Sequence, residues 1–161
     1  NVYISSSACH NVMKWARNAS NGTVVAGSSS GTAGNNAQSL SDPYGLALDE
    51  VNGYLYVADF NNERIQRFYT NGSTTGVTVA GGHGQGAAAN QLNGPTEIFL
   101  SKLDNSIYIA DRYNGRVQKW FLNGSTGVTV AGSSTGLVGQ TPSLMNEAYA
   151  IALNEDESLL Y

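Results

Sequence analysis

Two stretches of the chain place an aspartate five positions before an arginine. They are Asp59 and Arg64 in YLYVADFNNERIQRF, and Asp111 and Arg116 in IYIADRYNGRVQKW. A carboxylate beside a guanidinium can be an acid or base tuned by a cation. It can equally be structural. An Arg fork grips a carboxylate bidentately, and residues facing each other in an antiparallel pair have Cβ atoms about 4.5–5.5 Å apart. A third, blunted copy, NVYISSSACHNVMKW, separates the two readings: it carries Ser6 and Asn11 at these positions, so both charges are absent together. That is the behaviour of a pair that closes one hairpin. Asp59, Arg64, Asp111 and Arg116 are therefore read as hairpin clasps, and no catalytic residue is expected.

Other residues with chemical potential are few. Glu97 is an acid at a repeat phase where the other copies have Gly45 and Ala150. His10 and His83 fall at different phases, without the spacing of a metal site, and Cys9 is the one cysteine, which rules out an internal disulfide and a multi-cysteine metal centre. Gly81–Gly86 lacks a lysine and reads as a loop, not a phosphate cradle. Asn18, Asn21, Asn71 and Asn123 each open an N-x-[ST] triplet, the acceptor pattern for N-glycosylation. They point toward an extracellular setting, although Asn-Gly is also ordinary hairpin-turn chemistry.

The elements that position these residues repeat. The two clasps lie 52 positions apart, and Trp15, Phe68 and Trp120 share one phase. A further element recurs at Gly22–Gly27, Gly76–Gly81 and Gly127–Gly132, and another at Pro43–Asp49, Pro95–Ser101 and Ala148–Asn154. Self-similarity of this kind marks a repeat architecture. Each unit holds four β-like runs: Tyr44–Asp49, Tyr54–Asp59, Arg64–Tyr69 and Val77–Ala80 in the clearest copy. Short typed turns join them, so each unit is expected to be an antiparallel meander, and such sheets in succession are propeller blades. A stacked solenoid would need parallel pairing, which the Asn-Gly hairpins oppose. The units are placed at about 1–43, 44–95, 96–147 and an incomplete 148–161.

Composition agrees. Only 12% of residues are charged, against about 25% in typical soluble domains. The net charge of −4 and the scattered lysines and arginines disfavour nucleic acid; a patch of Arg64, Arg67, Arg116 and Lys119 is the one arrangement that would favour it. No apolar run approaches the ~20 residues of a membrane-spanning helix. The N-terminus lacks a start methionine and any signal-peptide pattern, so the chain is expected to be an internal piece of a longer protein.

Tyr56-Val57-Ala58-Asp59, Asn62 and Arg64-Ile65-Gln66, with Tyr108-Ile109-Ala110-Asp111, Asn114 and Arg116-Val117-Gln118, resemble NHL repeats, and Pro43 and Pro95 match the proline that opens each repeat of that family. The resemblance implies an all-β propeller, commonly of about six blades, with the first strand of each unit lining a central channel. The chain begins on a second strand, Val2-Tyr3-Ile4, and stops as another begins, Leu159-Leu160-Tyr161. The remaining blades are expected from the same longer chain or, failing that, from self-association. The family serves many roles. The expected role here is a non-enzymatic scaffold that binds a protein or glycan through its loops, chiefly Phe60, Asn61, Arg112 and Tyr113, with Tyr44 nearby and Glu97 at the channel mouth. No cofactor is expected. The alternatives are a calcium-dependent, lactonase-like propeller hydrolase using Glu97, with Asn93, Asn146 and Glu147 nearby, and an RNA-binding NHL domain of the tripartite-motif kind.

Overall fold

A computed structural model of the chain describes residues 1–158 and residue 160. The strands are β1 (Val2–Ser6), β2 (Asn11–Trp15), β3 (Thr23–Gly27), β4 (Pro43–Asp49), β5 (Tyr54–Asp59), β6 (Arg64–Tyr69), β7 (Val77–Gly81), β8 (Pro95–Leu100), β9 (Ser106–Asp111), β10 (Arg116–Phe121) and β11 (Gly127–Gly132). They form three antiparallel meanders: β1-β2-β3, β4-β5-β6-β7 and β8-β9-β10-β11. Within each four-stranded sheet, sequence neighbours are spatial neighbours. Each sheet breaks register at the same place on its next-to-last strand, between Val12 and Met13, Ile65 and Gln66, and Val117 and Gln118. A bulge repeated at one phase gives every sheet the same added twist.

The second strand of each unit is apolar on both faces because it is covered from both sides. Leu55 and Val57 join Val12, Val25, Ala26, Leu40 and Phe68 in the core between the first and second sheets. Tyr56 and Ala58 point the other way, into a core with Ile65, Ile98, Ile107, Ile109 and Trp120 between the second and third sheets. Period-2 alternation thus sends successive side chains of β5 into two different cores.

The shared aromatic phase also has a packing reason. A Cβ on Gly22, Gly76 or Gly127 would sit 2.7, 2.7 or 2.6 Å from ring atoms of Trp15, Phe68 and Trp120 respectively. Each ring lies over a glycine at, or one residue before, the start of the last strand of its sheet, where any side chain would displace it.

The hairpin loops from β5 to β6 and from β9 to β10 are each built on a 3-10 turn, Phe60–Asn62 and Arg112–Asn114, closed by a left-handed residue at Glu63 (φ 54°) or Gly115 (φ 53°). The strand expected at Ala148–Asn154 is not formed among the described residues: an opening strand needs its second strand beside it, and the pairing described there is one bridge, Leu153 to Leu160. Of the expected strand start at Leu159–Tyr161, Leu159 and Tyr161 lie outside the described residues. No helix among the described residues is long and apolar enough to cross a membrane.

Candidate functional site

The Asp–Arg pairs face each other across β5–β6 and β9–β10 in register. Arg64 Nε donates to Asp59 Oδ2 at 2.7 Å, and Arg116 Nε to Asp111 Oδ2 at 2.7 Å. Their surroundings enlarge the clasp beyond the hairpin. Arg64 Nη1 donates to Asn35 O (2.9 Å), and Nη2 to Asn36 O (3.0 Å) and Ser39 O (3.1 Å). Asp59 Oδ1 accepts from Ser41 N–H at 2.7 Å. All four of these partners lie on the link that carries the chain from β3 to β4. Arg116 repeats the arrangement on Ala87, Ala88 and Gln91, and Asp111 accepts from Asn93 N–H. The pair therefore pins the link between blades to the blade that follows.

An asparagine is the third member of each clasp. Asn62 Nδ2 donates to Asp59 Oδ2 (2.9 Å) and to Gly34 O (2.8 Å). Asn114 does the same to Asp111 Oδ2 (2.8 Å) and Gly86 O (2.9 Å). The signal for it was present: the blunted repeat has Cys9 where the others have Asn62 and Asn114, so three clasp positions change together. In that repeat Ser6 still faces Asn11, and Asn11 Nδ2 donates to Ser28 O at 3.2 Å.

Asp59 and Asp111 are fully buried. Burial pushes both carboxyls above their ordinary range, against Ser41 N–H, Asn62 and Arg64 for Asp59 and against Asn114, Arg116 and Asn93 N–H for Asp111. A group with no path to solvent and every oxygen occupied cannot meet a substrate. The same use removes two members of the basic patch, since Arg64 and Arg116 are buried. Arg67 lies over the Tyr54 ring at 4.4 Å, and Lys119 pairs with Asp104 at 2.6 Å.

A different group of residues comes together where the first strands begin. Tyr44 packs on Phe60 with ring centroids 4.9 Å apart, and Phe60 on Tyr113 at 5.8 Å. The Arg112 guanidinium lies 4.7 Å from the Tyr113 ring centre and 4.1 Å from that of Tyr149. Arg112 is held in turn by Glu147, at 3.0 Å from Nη2, and it donates to the Tyr149 hydroxyl. The result is one row, Tyr44–Phe60–Tyr113–Arg112–Tyr149, running across successive units. Tyr44, Tyr113 and Tyr149 are 41%, 43% and 54% exposed, whereas Phe60 is only 9% exposed. Phe60 is thus corrected from a contact residue to the buried centre of the row; flanking rings cover it. Asn61 is exposed and its amide reaches the Ser41 hydroxyl at 3.4 Å.

Beside the row lies a concavity of about 360 Å³ lined by Ser5, Ser7, Tyr44, Gly45, Thr96, Glu97 and Tyr149. Tyr44, Thr96 and Tyr149 occupy one repeat phase, so the concavity is the mouth formed where consecutive blades converge. Glu97 is half-buried there. Sequence reasoning found Glu97 and placed Tyr44 near the loops, but missed Tyr149 and Thr96; only convergence of the blades brings them together.

The remaining candidates are elsewhere. Asn71 and Asn123 are exposed in the turns after β6 and β10, at the opposite end of the strands, and Asn18 and Asn21 in the equivalent turn after β2. His10 Nδ1 accepts from Asp42 N–H at 3.0 Å. Among the described residues, no three His, Cys, Asp or Glu side chains gather as a metal centre of those groups would require.

The comparisons agree with this architecture. The NHL repeat family matches residues 40–68, from the link through the end of the β5–β6 hairpin. A structural genomics protein of unknown function from Bacteroides thetaiotaomicron superposes with a TM-score of 0.69 at 21% identity, over 92% of this chain and 38% of its own. An auxiliary nutrient binding protein from the same organism gives 0.67 at 17% identity, over 98% of this chain and 41% of its own. The chain spans about two-fifths of the length of each. With its clasp, its link and its succession of antiparallel meanders, the chain carries an NHL repeat at residues 40–68 and is built as successive blades of a β-propeller fold.

Proposed function

We propose that the chain is part of a non-enzymatic binding module that presents the Tyr44–Tyr149 face to a protein or glycan partner. The observation that carries this is the aromatic row. Three half-exposed tyrosines are held by ring stacking and by Arg112, so they offer large contact area at little further entropy cost. Tyr and Arg are also the residue types that dominate binding energy at interfaces. One structural neighbour is itself a nutrient-binding protein, but at that identity it supports the fold and not a ligand.

The test uses the purified chain on parallel peptide and glycan arrays. Binding should be lost in Tyr44→Ala and Tyr149→Ala and kept in Asn123→Ala, at the opposite end. Binding that survives both tyrosine changes overturns the assignment of the face. A calorimetric titration with Ca²⁺ addresses the hydrolase alternative: heat that disappears in Glu97→Gln, with lactone turnover, would replace the present reading.

A further inference from the structure

We infer that the mouth beside the aromatic row receives a cationic side chain, arginine or lysine, projected by a protein partner. The inference rests on the reading of this face as a binding surface and names the partner's chemistry. Glu97 is the carboxylate lining the mouth. Its Oε1 accepts one backbone hydrogen bond, from Ile98 N–H at 3.2 Å, and it takes part in none of the four ion pairs of the described residues. A half-buried carboxylate with no cation beside it is complemented best by a positive charge that can also hydrogen-bond to it.

The walls suit that charge. Tyr44 and Tyr149 border the same space, and aromatic faces attract ammonium and guanidinium groups. Thr96 Oγ1 is engaged by Ala148 O and Tyr149 O, which fixes that wall. The nearest positive group of the row, Arg112, cannot fill the role because Glu147 and the two rings already hold it. Space for the incoming group depends on Gly45. A Cβ there would stand 3.1 Å from Glu97 Oε1 and 2.5 Å from Thr96 O, so any side chain at 45 would crowd the carboxylate. An anionic ligand would be repelled, and a neutral sugar would leave the charge uncompensated.

The probe is a capped Gly-Arg-Gly tripeptide with its citrulline counterpart, which keeps the shape and loses the charge, and maltotriose as the neutral sugar. Titrations are followed by amide NMR shifts at Gly45, Glu97 and Ile98. The arginine peptide should bind, with affinity that falls as salt rises, and weaken about tenfold or more in Glu97→Gln. Tyr149→Leu should weaken it without changing the salt dependence. Equal binding of the citrulline peptide, binding of maltotriose alone, no binding of the arginine peptide, or no effect of Glu97→Gln in a variant that melts like the parent each overturns the inference. If the array partner of the chain still depends on Tyr44 and Tyr149 while the arginine peptide fails, the face stands and the cation is wrong. If both fail, both readings fall.

Discussion

Asp59 and Arg64 meet at 2.7 Å inside the protein, and between them they hold the carbonyls of Asn35, Asn36 and Ser39 and the amide of Ser41. The pair that resembled a reactive site is the fastening between one blade and the link from the preceding one. Loss of either partner leaves a buried charge and frees a link that has little secondary structure of its own.

Asp59→Ala should therefore cost stability of about 3–5 kcal/mol, the range for removing one member of a buried ion pair. Chemical denaturation gives the number directly. A midpoint equal to that of the parent would contradict the clasp.

Asn62 bridges the carboxylate to Gly34 O, and Asn114 bridges its counterpart to Gly86 O. Replacing either with alanine should cost about 1–3 kcal/mol, since a buried carboxylate loses one of its donors and a part-buried carbonyl loses its side-chain donor. The two sites lie in different blades with separate partners, so the double variant should show close to the sum. Strong non-additivity in the melting of the double variant would mean that the two clasps are coupled across the blades.

The ring-over-glycine contacts make a steric prediction. Gly127→Ala places a methyl group 2.6 Å from Trp120, and overpacking of this kind costs about 1–3 kcal/mol. Trp120 fluorescence reports the displacement. Gly115→Ala should be worse, because its φ of 53° is left-handed and its Cβ would stand 2.2 Å from Met145 O, a backbone atom. A Gly115→Ala protein as stable as the parent would show that the turn can relax.

Asp104 supplies a pH prediction. Lys119 first, then Ser106, hold its carboxyl down to about 2. A depressed native pKa stabilises the fold above the unfolded value of about 3.9, and that contribution is lost as pH falls toward 2. The pair is partly exposed, at 23% for Lys119 and 35% for Asp104, so its effect on stability is small and screened by salt. In Lys119→Met the Asp104 carboxyl should titrate closer to the ordinary range by carbon-detected NMR. An unmoved titration would assign the shift to the hydroxyls alone.

Much of the fold is legible along the chain because its causes are local. Tyr54–Asp59 and Arg64–Tyr69 are strands by β-branched and aromatic content, and the recurrence of Asp, Asn and Arg at one phase marks the repeat. The in-register facing of Asp59 and Arg64 follows from strand pairing alone. What these residues hold does not. Asn35, Asn36 and Ser39 are 25–29 positions from Arg64, and nothing in local spacing says which carbonyls of a long link a guanidinium will meet. The same limit hid Tyr149, 52 positions beyond Glu97 in the chain and beside it at the mouth. It also misplaced Phe60, whose burial comes from Tyr44 and Tyr113 on either side. Period and turn chemistry determine a blade, because each strand's neighbour is the next in sequence. The surface that blades make together is decided only when they pack, because its residues come one from each repeat.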